Sequence, residues 1–117
     1  MENYSLQSDE SVIYKGDVSL IDKNGSTNMI LTNLNIVLVT KNKKLFQKEE
    51  VEIETYPIED IKIYDNVPQI KIEGDVVEIY FTSIEKKVRF YSKIELHKFV
   101  NAAVKLLTGK SMAKRGA

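Results

Sequence analysis

The hydrophobic period of this chain changes once, near residue 92, and that change limits the folds open to it. From Val12 to Tyr91 apolar residues recur mainly at every second position, which sends alternate side chains to opposite faces of a sheet. Beyond it, Leu96, Phe99, Val100, Ala103, Val104 and Leu107 fall on one face of a helix, with Glu95, Lys98, Asn101 and Lys105 elsewhere. The pattern predicts a mainly β chain closed by one amphipathic C-terminal helix.

The turn chemistry divides the β region into about seven strands. Val18 and Leu20 lead into Asn24-Gly25, two residues that tolerate positive φ, and Met29 and Leu31 resume the pattern, which makes a hairpin. Asn33 and Asn35 flank a second tight turn before Ile36-Val37-Leu38-Val39, an apolar run suited to a strand covered on both faces. Val51 and Ile53 alternate with Glu50, Glu52 and Glu54, which predicts Val51 and Ile53 inward and the glutamates in water. Pro57 has no amide hydrogen to donate, so the ladder should bend before Ile61 and Ile63. A second hairpin turns at Gly74-Asp75, and Val88 and Phe90 belong to the last strand. Ser92 and Glu95 match a capping box, Tyr91 and Leu96 are spaced for a hydrophobic staple, and Gly109 suits a left-handed C-cap. Strands paired in successive hairpins cannot leave a large apolar face open, so they should curl into packed sheets or a partly open barrel plugged by the helix.

At 117 residues the chain has room for one domain. Residues 1–9 read as an N-terminal segment, 10–108 as the domain, and 109–117 as a flexible basic tail or the start of a linker. Lysine plus arginine equals aspartate plus glutamate at 17 each, so no net field draws the whole molecule to nucleic acid or to an anionic membrane. The absence of cysteine removes disulfides, thiolate ligands and a thiol nucleophile, and fits a reducing compartment. Neither a signal-peptide pattern at Met1-Glu2-Asn3-Tyr4 nor a run of membrane-spanning length is present, so the expectation is a cytoplasmic protein, with residence at the membrane periphery as the second reading.

Met29-Ile30-Leu31-Thr32-Asn33, then Ile36-Val37-Leu38-Val39, then the Ser92 to Leu107 helix resemble the bacterial pleckstrin-homology-like (PH-like) and GRAM-like domains over roughly residues 10 to 108. Leu31-Thr32-Asn33 reproduces a step common in that family, whereas Leu34-Asn35 stands where relatives often carry a basic residue. The resemblance implies a PH-like partly open barrel of about seven antiparallel strands capped by the helix. Members of that superfold bind phosphoinositides, peptides or proteins, or act as scaffolds, and are seldom enzymes. Lipid-binding members in eukaryotes place several basic residues in the first hairpin turn, while Asp22-Lys23-Asn24-Gly25-Ser26 has one lysine beside an aspartate.

Candidate chemistry is sparse. His97 stands alone, and a structural zinc site takes about four ligands, so it reads as a surface histidine. Glu49, Glu50, Glu52 and Glu54 read as a solvated strand face rather than an acid/base pair or a cation site. Tyr64, Tyr80, Arg89 and Tyr91 are the nearest approach to a stacking platform and read as cross-strand packing, so no nucleic-acid partner is expected. Lys41, Lys43, Lys44 and Lys48 form the densest basic cluster. The sequence thus points to a non-enzymatic binding or scaffolding module, without metal or cofactor. Its expected partner is a protein or peptide at a sheet edge or in the groove beside the helix, or a second copy of the chain. The alternative is a peripheral module that binds anionic lipid through Lys23, Lys43 and Lys44.

Overall fold

The structure, a computed structural model, describes residues 4–22, 25–42, 48 and 50–116, and the side chains of those up to 109. The strands are β1 (Val12–Leu20), β2 (Ser26–Thr32), β3 (Asn35–Asn42), β4 (Glu50–Pro57), β5 (Ile63–Tyr64), β6 (Val67–Pro68), β7 (Ile70–Glu73), β8 (Val76–Tyr80) and β9 (Glu85–Phe90). A 3-10 turn, Ile58–Asp60, follows β4, and helix α1 spans Lys93–Gly116. Seven strands form one antiparallel sheet in the order β4-β3-β2-β1-β9-β8-β7, and β5 and β6 form a separate ribbon. The expected mainly-β chain with a single C-terminal helix is what the chain builds.

Strand β1 joins the two halves of the sheet. Its first part pairs with β2, and Val18 to Leu20 pair with Phe90 to Val88 of β9. The inward faces of both halves meet in one core, where Met29, Leu31, Ile36, Leu38, Val77, Ile79, Val88 and Phe90 are all at most 2% exposed. Helix α1 closes that core with Leu96, Phe99, Ala103 and Leu107. Phe99 sits 5.6 Å from the Phe90 ring and edge-on to Tyr14 at 5.8 Å, arrangements that aromatic quadrupoles favour. Gly16 leaves room for the Tyr14 ring, whose Cζ lies 2.9 Å from where a Cβ would stand. The Tyr14 hydroxyl then donates to Glu95 Oε1 of α1 at 3.1 Å, tying helix to sheet.

The Ser92 hydroxyl accepts the Glu95 amide at 3.1 Å, as an N-cap should. Two sequence expectations for the helix fail. Tyr91 is 71% exposed while Leu96 is buried, so they form no staple. Gly109 is not left-handed and lies inside α1, whose backbone continues to Gly116.

The phase of β4 is also the reverse of the expectation. Ile36 and Leu38 point into the core, and their cross-strand partners Tyr56 and Glu54 share that face. Val39 faces Ile53 and Lys41 faces Val51, which places Val51 and Ile53 on the outer side of the sheet, each 41% exposed. A period of two fixes alternation but not which set is inward, and a β3 apolar on both faces leaves that choice open.

β3 is covered on its outer side as well, as its composition predicts. Val37 and Val39 pack with Ile30 in a second cluster that Tyr4 of the N-terminal segment covers. Polar contacts hold the segment there. Glu10, 7% exposed, accepts hydrogen bonds from the Tyr4 hydroxyl at 2.9 Å, the Gln7 amide at 3.1 Å and Asn35 Nδ2 at 3.0 Å, and a further one from the Thr32 hydroxyl. Thr32 in turn accepts the amides of Leu34 and Asn35 at 3.1 and 2.8 Å. Asn33 accepts the Ser11 amide at 2.7 Å and donates to the Asp9 carbonyl at 2.9 Å.

Burial alone would raise the Glu10 pKa, but the hydrogen bonds from Thr32, Gln7, Asn35 and Tyr4 outweigh it and hold the carboxyl below its ordinary value. A folded-state value below the unfolded one means the stabilisation is complete above the ordinary glutamate pKa and is lost as pH falls through the lower, folded value. Glu10→Gln replaces an acceptor with an amide among donors and should cost about 1–3 kcal/mol near neutrality. In denaturant titrations across acidic pH, the gap between wild type and Glu10→Gln should narrow as pH drops, and a gap that stays constant would contradict this account.

Candidate functional site

The loops from β1 to β2 and from β3 to β4 held the lysines that the sequence put forward. Lys23, Lys43 and Lys44 all lie outside the described residues. The described residues contain instead a charge pairing that sequence reasoning missed. Lys86, on the start of β9, shares a face with Val88 and Phe90 and is 4% exposed. Its ammonium reaches Glu54 Oε1 at 3.0 Å and Asp22 Oδ2 at 3.2 Å. The Tyr56 hydroxyl donates to the same Glu54 oxygen at 2.5 Å, and its ring stacks on Phe81 at 4.8 Å. Burial first, and then the hydrogen bond to Glu54, raise the Tyr56 pKa well above the tyrosine range, so it remains a donor. The period-two rule would have found Lys86, because it is two residues from Val88 and in phase with it.

This arrangement neutralises a cation that would otherwise face the core, and in doing so links β9 to β4, strands that are not neighbours in the sheet. Removing Glu54 alone leaves Lys86 with Asp22, which is 61% exposed and well screened. Glu54→Ala should therefore lower stability by about 1–3 kcal/mol, and the double variant Glu54→Leu/Lys86→Met should recover most of the loss in urea titrations. Failure of the double variant to improve on the single one would show that the ion pair does not join the two strands.

The remaining candidates scatter. His97 is on the exposed side of α1. Tyr64 and Tyr91 are 77% and 71% exposed, but Tyr64 ends the β5–β6 ribbon and Tyr91 precedes α1. Tyr80 donates to Glu78 at 2.8 Å, which with its hydrogen-bonded carboxylate pushes its pKa up to about 12. Arg89 lies 3.5 Å from Asp75. On the outer face of β7–β9 acidic and basic side chains alternate, Lys71 beside Glu78 and Glu78 beside Lys87, so the strands present no basic stripe. Among the described residues no three carboxylates or imidazoles converge as a metal site. The ribbon, turned by Asp65 and Asn66 at φ 51° and 65°, borders an open hollow lined by Ile61, Ile63, Tyr64, Glu59 and Lys62. The sequence had foreseen only a bend there.

The most distinctive surface is β4 itself. It ends the strand order, with β3 on one side and no strand on the other among the described residues. Eight residues of it pair with β3 in unbroken register, Asn35 with Pro57 through Asn42 with Glu50. Its outer side shows Val51, Ile53 and Thr55, and its inner side Glu50, Glu52 and Glu54. The strand continues the covered apolar cluster of Ile30, Val37 and Val39 out to an edge that no other strand pairs with among the described residues.

No protein-family model matches the sequence, and no curated protein matches it. By shape, the chain is similar to the N-terminal PH domain of human ARAP2, with a TM-score of 0.62, 11% sequence identity, and coverage of 93% of this chain and 88% of that one. At that identity the likeness is one of fold. The seven-stranded antiparallel sheet closed by one C-terminal helix is the PH-like fold.

Proposed function

We propose that this chain is a non-enzymatic binding or scaffolding module that takes a protein or peptide partner by strand addition at β4. The observation that carries this reading is an eight-residue strand at the end of the sheet order, paired with β3 in unbroken register, with Val51 and Ile53 exposed beside an apolar cluster. An edge offers main-chain donors and acceptors that a second extended chain can satisfy, and alternate side-chain positions then supply specificity. The other sheet edge, β7, has four residues and offers a shorter ladder.

The competing reading is an anionic lipid held by Lys23, Lys43 and Lys44. Lys86, a buried cation among the described residues, does not add to it, because Glu54 and Asp22 already hold that ammonium. Two experiments separate the readings. A peptide alternating threonine with valine should slow amide exchange in Glu50 to Thr55, while phosphatidylserine vesicles should fail to float the protein even at low salt. Flotation at low salt that disappears in the Lys43→Glu/Lys44→Glu variant would overturn strand addition in favour of lipid binding.

A further inference from the structure

We propose that the outer side of the β2–β3 hairpin is a peptide seat that residues 4–10 of the chain fill in cis. From a separate protein it accepts a segment carrying the same two groups, an aromatic hydroxyl and, six residues on, a carboxylate. This seat is distinct from the β4 edge, where main-chain groups would do the binding, and does not depend on it.

Seat and occupant come from different parts of the chain. Residues 30–39 build the seat. Ile30, Val37 and Val39 form its apolar floor, on which Tyr4 packs. At the turn, the Thr32 hydroxyl and Asn35 Nδ2 both donate to Glu10 Oε2, the latter at 3.0 Å, and Asn35 Nδ2 also donates to the Tyr4 hydroxyl at 3.2 Å. The Tyr4 hydroxyl in turn donates to Glu10 Oε1 at 2.9 Å. Thr32 is oriented by the Leu34 and Asn35 amides that its oxygen accepts, so the turn's own main chain holds this donor in place. Although burial alone would raise the Glu10 pKa, the hydrogen bonds keep the carboxyl ionised below its ordinary value, as a seat for an anion requires.

The occupant is held as a linear peptide is held. Tyr4 is half-buried and Glu10 is 7% exposed, whereas Ser5, Leu6, Gln7, Ser8 and Asp9 between them are all exposed. Binding energy in such segments resides in a few buried anchors. Among the described residues, the one main-chain hydrogen bond from this segment to the hairpin joins the Asn33 amide to the Ser11 carbonyl at 3.1 Å, at the segment's far end. With so few buried contacts the segment belongs to the parts of a fold that open locally while the rest stays folded. Opening leaves an apolar floor in water and two buried donors without acceptors, a state that a second segment with the same groups relieves. While closed, the cis segment competes at an effective concentration on the order of millimolar, the value for a short tether, so it sets the affinity that a partner has to exceed.

The experiment adds an acetylated synthetic peptide of residues 4–11 to the full chain, wild type or Tyr4→Ala/Glu10→Ala. NMR shifts of the Ile30, Val37 and Val39 methyls and of the Asn35 side-chain amide report on the seat. The variant should bind at least tenfold tighter than wild type, whose seat is filled. The same peptide carrying Glu10→Gln should bind the variant roughly tenfold more weakly, from loss of the charge-assisted hydrogen bonds. Amides Glu50 to Thr55 should exchange as before, which separates this seat from strand addition at β4. Equal binding to wild type and variant, equal binding of both peptides, or no shift at the seat would overturn the proposal. Should the double variant not fold, Tyr4→Ala alone takes its place, and loss of the folded spectrum in that variant too would show the segment to be part of the core and overturn the proposal. A wild-type dimer by light scattering that exchanges residues 4–10 between copies would assign the seat to a second copy and overturn the separate partner.

Discussion

The pairing of β4 with β3 is the constraint on which the outward character of this molecule depends. Because Ile36 and Leu38 are fixed in the core by the helix and by the second half of the sheet, their partners Tyr56 and Glu54 must face the same way. Glutamates are thereby directed toward the interior side of the barrel, and Val51 and Ile53 to its surface. The unfavourable half of that arrangement, a carboxylate near the core, is offset by Lys86 from β9 and by the Tyr56 hydroxyl. The favourable half is an apolar margin on a strand that has no second partner strand among the described residues. The proposed docking edge and the stabilising contact belong to one strand.

The rest of the fold holds that strand in place from both sides. Inside, Phe99 of α1 fills the space between Phe90 and Tyr14, and the Tyr14–Glu95 hydrogen bond fixes the helix to β1. Outside, the N-terminal segment lies on Ile30, Val37 and Val39 and is fastened by Glu10, Thr32 and Asn33. Strand β3 is thus buried on both faces, and a strand so confined gives its neighbour a rigid template. The hydrogen bonds of Thr32 and Asn33 also account for the Leu31-Thr32-Asn33 step. In this chain its polar residues bind the chain's own N-terminal segment.

Much of this was legible in the sequence, for identifiable reasons. The change from period two to the helical spacing at Leu96 separates sheet from helix, and Leu96, Phe99, Ala103 and Leu107 are the residues that bury. The apolar run from Ile36 to Val39 is covered on both sides as read, and Gly74 takes the positive φ of 63° that its turn requires. What escaped depends on contacts between distant residues. The phase of β4 follows from its partner strand, not from its own alternation. Glu10 is buried by Thr32 and Asn35, more than twenty positions away. Lys86 was in phase with Val88 and Phe90, but a charged residue reads as exposed until its partners, Glu54 and Asp22, are known. Gly109 reads as a helix stop by composition alone, and the backbone continues through it.

The register between β3 and β4 is therefore the quantity to measure. Cross-strand proton contacts by NMR should place Ile53 opposite Val39 and Thr55 opposite Val37, with Glu54 opposite Leu38. A ladder displaced by one residue, with Ile53 opposite Leu38 or Thr40, would return Val51 and Ile53 to the core side, turn the glutamates outward, and contradict the account of β4 as an apolar edge backed by an acidic row.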